Sequence, residues 1–240
     1  MTNPLARLAE HGQSVWLDFL SRSFLDGGEL RRLIERDGLR GVTSNPSIFE
    51  KAIAHGNEYD TDLVAFLKAA DRDVETLYEH LVIGDIRHAA DELRPVYDKL
   101  DGHDGFISLE VSPYLAMQTQ ETIAEGRRLW GEVERPNLMI KVPGTEAGVP
   151  AIRTLIDEGI NVISAVNVQH LESLNDVVAQ TLGVTVRETI PDWVVATADQ
   201  VVNLDISAQD LRQRLQEGKI YPKEKIQAAL ANFFTEENLT

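Results

Sequence analysis

Four polar side chains occupy equivalent positions, each at the end of a short apolar segment. Asp18 lies in VWLDF, Asn45 in GVTSNP, Glu110 in ISLEVSP and Lys141 in LMIKVPG. Each of them follows an apolar run and comes before turn-forming residues. In parallel α/β folds the C-terminal ends of the strands face the active-site mouth. The four side chains would therefore converge if their strands are neighbours.

Lys141 has an unusual position, because a lysine inside an apolar run is almost never fully buried without a partner. One explanation of this position is imine chemistry. Burial disfavours the ammonium form and leaves an amine that can attack a carbonyl carbon near neutral pH. A carboxylate within reach, from Asp18 or Glu110, can then move protons during cleavage of a carbon–carbon bond. The alternative is a buried structural salt bridge between Lys141 and Glu110, with Asp18 and Asn45 only capping turns. The residue pattern supports both interpretations about equally.

Short apolar strands and amphipathic helices alternate along the chain, which is typical of an α/β fold with parallel strands. Two helical segments, Tyr59–Ala70 and Asp73–Leu100, form an insertion between the second and third strands, and a capping box of Ser207 and Asp210 begins a late helix. Seven strands fit either a (β/α) barrel that is one strand short or an open doubly wound sheet. The predicted strands are Val15–Leu20, Gly41–Thr43, Phe106–Glu110, Leu138–Val142, Asn161–Val166, Val184–Glu188 and Val201–Asp205.

The composition narrows the classes of function. The chain has 240 residues, of which 43% are hydrophobic, so it can bury a sizeable core. Its net charge of -16 argues against non-specific binding to nucleic acid or to an anionic membrane. The absence of cysteine excludes thiolate metal sites, and the six histidines lack metal-ligand spacing, so we expect no metal. No apolar run approaches a membrane span and the first residues do not form a signal peptide, so we expect a cytoplasmic protein.

Four long stretches, VWLDFLSR, GVTSNPSIFEKAI, FISLEVSPYLA and RRLWGEVERPNLMIKVPGTEAGVPAIRTLIDEGINV, are similar to the bacterial transaldolases. The resemblance covers residues from about 14 to 160. It implies that Lys141 is the Schiff-base lysine that attacks a ketose carbonyl. It further implies that Asp18 is the acid/base of aldol cleavage, and that Glu110 acts on the imine through an ordered water. Asn45 would hold a hydroxyl of a sugar phosphate or dihydroxyacetone, and no cofactor is expected.

The resemblance to transaldolases ends after EGIN. Ala165 stands where the family has a threonine that helps to hold the catalytic water, and the serine and arginine that hold the sugar phosphate lack counterparts. From about Leu155 to Thr240 the chain instead resembles the N-terminal cytoplasmic domain of potassium-responsive sensor histidine kinases. In that family a P-loop comes before this segment, and because G-x-x-x-x-G-K-[ST] is absent here we expect no ATP binding. The stretches that show the resemblance to the sensor kinases are NVQHLESLNDVVAQTLGVTVRETIPDWV, ADQVVNLDI and DLRQRLQEGKIYPKEKIQAALANFF.

These two resemblances predict a chimera, engineered or recombined, whose join lies within LIDEGINV. Residues 1–158 would form part of a transaldolase-like (β/α) barrel. Residues 159–240 would be a doubly wound α/β segment that completes it, and both parts would pack as one domain. The chimera would keep a Schiff-base lysine site without the complete phosphate site. The alternative is a functional transaldolase that transfers a dihydroxyacetone unit between sugar phosphates.

Overall fold

The computed structural model of the protein describes residues 3–55, 57–69, 73–182, 186–204, 206–221, 223–232 and 234–235. The chain divides into two compact units, Met1–Val166 and Asn167–Thr240. Among the helices of these described ranges, none has both the length and the apolar character of a membrane span.

The first unit is built on a parallel sheet, whose described strands lie side by side in chain order. Parallel strands that are neighbours both in the chain and in the sheet are joined by right-handed crossover connections. When every connection runs in the same direction across the sheet, the connecting helices lie on one face of it. A doubly wound sheet would instead reverse its strand order at a switch point. The order is therefore that of successive strands in a (β/α) barrel. The five strands of the described residues are β1 Val15–Leu17, β2 Leu39–Val42, β3 Phe106–Glu110, β4 Leu138–Lys141 and β5 Val162–Ile163.

Helices cover one face of this sheet and form the hydrophobic core with it. Alternate residues of the central strands point into this core and are buried, whereas Met139 and Lys141 on the other face are only half-buried. The longest helix, α6, begins after Asp73, whose side chain accepts a hydrogen bond from the backbone N–H of Thr76. The helices of this unit are α1 Pro4–Arg7, α2 Arg22–Asp26, α3 Glu29–Asp37, α4 Pro46–His55, α5 Asp60–Ala69, α6 Val74–Lys99, α7 Thr119–Val133 and α8 Gly148–Asp157.

A buried polar network ties α6 to the segments that follow the first two strands. The Asp85 carboxylate on α6 is almost completely buried; it accepts a hydrogen bond of 2.7 Å from the Tyr59 hydroxyl and one of 2.8 Å from Nε of Arg22. The guanidinium of Arg22 also lies 4.5 Å from the centre of the Tyr59 ring and pairs with Asp62. Burial raises the pKa of Asp85, and it raises the pKa of Tyr59 as well. Asp85, Tyr59 and Arg22 therefore find their hydrogen-bond and ion-pair partners within this network.

The ring of Trp16 on β1 covers Gly41 on β2. A methyl group added to Gly41 would lie 2.2 Å from Cε2 of Trp16, so only glycine leaves room for the ring. The indole Nε1 donates to the Ser14 hydroxyl at 2.9 Å, and that hydroxyl donates to Asp104 at 3.0 Å. These hydrogen bonds fix the ring over the sheet.

In its described residues the second unit contains two short 3₁₀ helices, Val168–His170 and Glu172–Leu174, and four α-helices, α9 Asn175–Leu182, α10 Asp192–Ala196, α11 Ala208–Gln216 and α12 Lys223–Asn232. The predicted N-cap of α11 is confirmed, because Oγ of Ser207 accepts a hydrogen bond of 3.1 Å from the backbone N–H of Asp210. The Ser207 hydroxyl also donates to the Asp210 carboxylate at 2.6 Å.

The described residues do not contain the predicted sixth and seventh strands. Residues 186–188 are irregular, and the rest of the predicted sixth strand lies outside the described residues. Residues 201–204 have no strand partner, and the Leu204 side chain is 90% exposed; Asp205 lies outside the described residues. A strand is stabilised by packing and hydrogen bonds to a neighbour, which β propensity in a short segment does not supply. The described sheet therefore has five strands rather than seven.

Replacing Asp85 by Ala should lower the free energy of unfolding by about 3–5 kcal/mol, because it leaves the Arg22 charge without its buried partner. Urea denaturation measures this loss. The control is Asp98→Ala, which breaks an exposed ion pair with Arg94 and should change stability by less than about 1 kcal/mol. Equal losses in the two variants would contradict a stabilising role for the buried network.

Gly41→Ala should lower the free energy of unfolding by about 1–3 kcal/mol, because the new methyl group displaces the Trp16 ring. Gly131→Ala is the matched control: a methyl group there meets nothing within 4 Å and replaces a glycine inside α7. This control should raise stability by about 0.5–1 kcal/mol. Thermal and urea denaturation of both variants test whether the free energy of unfolding changes in opposite directions. A stabilised Gly41→Ala protein would show that the Trp16 ring moves without cost.

Candidate active site

Lys141 and Glu110 form an ion pair at the ends of two neighbouring strands. The ladder between β3 and β4 aligns the two residues, and Nζ of Lys141 donates to Oε2 of Glu110 at 2.9 Å. Their side chains are 24% and 17% exposed, so a small molecule can reach a pair that is otherwise held out of water. This contact agrees with both the catalytic and the structural interpretation of the sequence.

Asn45 follows β2 at the edge of the sheet that carries this ion pair. Gly41 is paired with Phe106 and Val42 with Ile107, and β2 ends at Val42. Continuing this register past the end of β2 matches Asn45 with Glu110, which is paired with Lys141.

Asp18 follows β1 at this edge but at a lower level. Leu17 is paired with Val42, so Asp18 is level with Thr43, two residues before Asn45. That step corresponds to about 6.6 Å along the strands. The Asp18 side chain is exposed, and within the described residues it makes neither a hydrogen bond nor an ion pair. Of the four predicted residues, direct contact joins Lys141 and Glu110, while Asp18 and Asn45 stand at the same edge of the sheet.

The side-chain oxygen and nitrogen of Asn45 have different surroundings. Its Oδ1 accepts a hydrogen bond of 3.1 Å from the backbone N–H of Ile48, which caps α4. Its amide nitrogen has no hydrogen-bond partner in the part of the chain that the structure describes. Oδ1 of Asn45 therefore caps a turn, as one interpretation of the sequence expected. The side-chain NH₂ group remains able to donate a hydrogen bond to a ligand.

Tyr78 on α6 is a neighbour of the site that sequence reasoning missed. Its half-buried ring packs edge-on against Phe49 of α4, with 6.5 Å between the ring centres. Burial raises the pKa of the Tyr78 phenol, and the negative charges of Glu110 and Glu50 raise it further. Tyr78 lies in the helical insertion rather than at a strand end, so no sequence signal separates it from the other apolar residues of its helix.

Hydroxyl groups tie the loop after β4 to the loop after β3. Oγ1 of Thr145 donates to the carbonyl of Ala116 at 2.5 Å and accepts from the backbone N–H of Gly148 at 2.9 Å. Thr119 adds a bond of 2.7 Å to the carbonyl of Ala147. A side chain at Gly148 would lie 2.0 Å from the Pro143 carbonyl oxygen, so chain packing accounts for this glycine of the PGTEAG segment.

Ala165 follows β5 on the same side of the site as Lys141. Ile163 is paired with Lys141, and Ala165 comes two residues later, where its side chain is exposed. A methyl group cannot accept or donate a hydrogen bond, so this position offers nothing that orients a water molecule or a substrate hydroxyl.

The described residues offer no group of three histidine or acidic side chains arranged to hold a metal ion. At the candidate site the Glu110 carboxylate is engaged by Lys141, and Asp18 stands at a different level of the sheet. Among the polar side chains that this edge of the sheet presents are those of Lys141, Glu110, Asp18 and Asn45.

Comparison with known proteins adds two matches. Residues 15–165 match the family described as Transaldolase/Fructose-6-phosphate aldolase. Residues 146–240 are similar to the family described as Osmosensitive K+ channel His kinase sensor domain, so residues 146–165 fall within both matches.

Curated relatives resemble about two thirds of the chain. Transaldolase 2 of a Nostoc species is 51% identical over 160 residues, which are 67% of this chain and 42% of the relative. The transaldolase of Thiobacillus denitrificans is 52% identical over 162 residues, and that of Trichodesmium erythraeum is 49% identical over the same number. These alignments cover 44% and 42% of the two relatives, so the chain spans less than half the length of the curated relatives that it matches. Because the first family match covers well over half of its residues, the chain belongs to the Transaldolase/Fructose-6-phosphate aldolase family.

Proposed function

We propose that this protein is transaldolase-like and forms an imine between Lys141 and the carbonyl carbon of a ketose or dihydroxyacetone. The observation that carries the proposal is the half-buried contact between Lys141 and Glu110 at the C-terminal edge of a parallel sheet. Relatives about 50% identical to this region bear the name transaldolase, which supports the same chemistry.

In the first step Glu110, whose Oε2 lies 2.9 Å from Nζ, accepts a proton from the Lys141 ammonium, and the lone pair of the neutral amine attacks the ketose carbonyl. Glu110 returns that proton to the carbonyl oxygen and accepts a second proton from the nitrogen, which gives a neutral carbinolamine. It then donates the second proton to the hydroxyl group, which leaves as water. The product is a protonated imine, whose positively charged nitrogen can accept electrons from a bond to the adjacent carbon. The ion pair thus supplies both the nucleophile and the acid/base group of imine formation.

In the second step Asp18 removes a proton from the hydroxyl group on the carbon that forms the far end of the bond that breaks. That carbon–carbon bond then cleaves, its electrons move to the imine nitrogen as an enamine, and the remainder of the sugar phosphate leaves as an aldehyde. The free amide of Asn45 donates a hydrogen bond to a substrate hydroxyl. Transfer of the three-carbon unit to another aldehyde reverses these events.

We further infer that the chain is a recombined or engineered chimera with reduced turnover. The two family matches overlap at residues 146–165, and the boundary between the compact units falls directly after this overlap, at Val166. On this proposal residues 1–158 come from a transaldolase-like barrel and residues 159–240 from a sensor-kinase-like segment that lacks its P-loop. No ATP binding is expected, because the amide cradle and lysine of that loop are absent from the sequence.

A functional transaldolase is the second candidate. The family match over residues 15–165 includes the strands that come before Asp18, Asn45, Glu110 and Lys141, and relatives named transaldolase are about 50% identical over two thirds of the chain. Turnover of a sugar phosphate would additionally require a phosphate site and a group that orients water, for which Ala165 is unsuited. The two candidates agree on imine formation and differ in the rate of complete turnover.

Borohydride reduction in the presence of dihydroxyacetone should add mass to the peptide that carries Lys141 and to no other lysine peptide. Mass spectrometry of the digested protein reads the site of the adduct. Lys141→Met should abolish the adduct and keep the fold, since methionine is uncharged and similar in length, while Lys99→Met at the end of α6 should leave it unchanged. An adduct spread evenly over the lysines, or none at all, would refute the imine.

Turnover of fructose 6-phosphate in a coupled assay should be undetectable, or many orders below the ~10 s⁻¹ of an average enzyme. Binding of a remote phosphate supplies energy that orients the reacting carbons, so its loss lowers kcat as well as affinity. Ala165→Thr should not restore activity, because the phosphate would still be unbound. A kcat near the average value would favour the functional transaldolase instead.

A further inference from the structure

Ser44 and Ser108 form a buried clasp between the ends of β2 and β3. Both residues are fully buried. The backbone N–H of Ser44 donates to Oγ of Ser108 at 3.2 Å, and Oγ of Ser44 donates to the backbone carbonyl of Ser108 at 2.6 Å. Each serine therefore uses one side-chain and one backbone group to hold the other.

This clasp stands where the two strands separate. The last aligned pair of β2 and β3 is Val42 with Ile107, whereas β3 continues alongside β4 as far as Glu110. Beyond Val42 the Ser108 hydroxyl takes the place of a backbone acceptor in the ladder. The chain of β2 can then leave the sheet and begin α4 at Pro46 without an unsatisfied buried N–H group.

The clasp also connects two residues of the candidate site. Ser44 directly precedes Asn45, and Ser108 lies two residues before Glu110 on the same face of β3. Fixing Ser44 to Ser108 fixes the level of Asn45 relative to Glu110, and therefore relative to Lys141, which contacts Glu110. The Oδ1 bond to Ile48 orients the Asn45 side chain so that its amide nitrogen remains free.

We propose that Ser108 is a positioning residue, whose hydroxyl holds the Ser44–Asn45 backbone so that the Asn45 amide reaches a hydroxyl oxygen of the substrate bound to Lys141. This inference rests on the imine chemistry proposed above. Ser108 itself touches neither Lys141 nor the substrate, and it acts through Asn45. Removing its hydroxyl should therefore weaken substrate binding and leave the reactivity of the Lys141–Glu110 pair intact.

A double-mutant cycle tests this dependence. The readout is the rate of borohydride trapping by dihydroxyacetone, measured over a range of concentrations for Ser108→Ala, Asn45→Ala and the double variant. Each single variant should raise the concentration for half-maximal trapping about tenfold, the worth of one hydrogen bond, with the saturating rate changed less than about twofold. The double variant should be no worse than Asn45→Ala, because both changes remove one interaction. Losses that multiply in the double variant would overturn the proposal.

Tyr59→Phe is the matched control, because it removes a buried hydroxyl that bonds to Asp85 rather than to a residue of the candidate site. It should lower stability and leave the half-maximal concentration unchanged. A tenfold rise in this control would mean that lost stability alone explains the effect of Ser108→Ala. If Ser108→Ala does not fold, Ser108→Cys takes its place in the cycle; sulfur is a weaker acceptor, so a smaller rise of about threefold is expected.

A second measurement separates this inference from the imine proposal. The Ile48 backbone N–H donates to both Oδ1 and the backbone carbonyl of Asn45, so its hydrogen exchange reports whether Asn45 as a whole still caps α4, and it requires no catalysis. Ser108→Ala should speed this exchange at least about tenfold, even if the unmodified protein traps no dihydroxyacetone and the imine proposal fails. Unchanged exchange at Ile48 in Ser108→Ala would overturn the positioning role.

Discussion

The ion pair between Lys141 and Glu110 is the contact on which the candidate active site depends. A charged amine at the end of an apolar strand is tolerable only if a carboxylate or water meets it, and the ladder between β3 and β4 brings Glu110 to that place. The pair remains partly open to solvent, so its ammonium and carboxylate do not carry the full cost of burial. It is consequently a contact that a substrate can enter and replace.

Side-chain hydroxyls complete the structure at the edge where the strands end. Ser44 and Ser108 join the ends of β2 and β3, and Thr145 joins the loops that follow β3 and β4. Strand ends in a parallel sheet leave backbone groups that the ladder no longer satisfies, and buried groups of this kind need other partners. Short hydroxyl side chains supply those partners while keeping the functional side chains at one edge of the sheet.

The two units differ in how their local sequence patterns relate to structure. In the first unit each predicted strand has neighbours, and β3 is found over the predicted residues Phe106–Glu110. In the second unit residues 201–204 carry an apolar, β-prone sequence, but no strand of the described residues pairs with them, and they are exposed. The same kind of pattern therefore leads to different outcomes, because a strand exists only with a partner.

The sequence by itself determined the α/β class, most strand positions, the N-cap at Ser207 and the unusual position of Lys141. These features depend on local periodicity and on side-chain chemistry, which the order of residues carries directly. The tertiary structure decided that Glu110 rather than Asp18 contacts the amine, that Tyr78 stands near the pair, and that the described sheet has five strands. Each of these depends on strand register or on packing between segments far apart in the chain, and local sequence fixes neither.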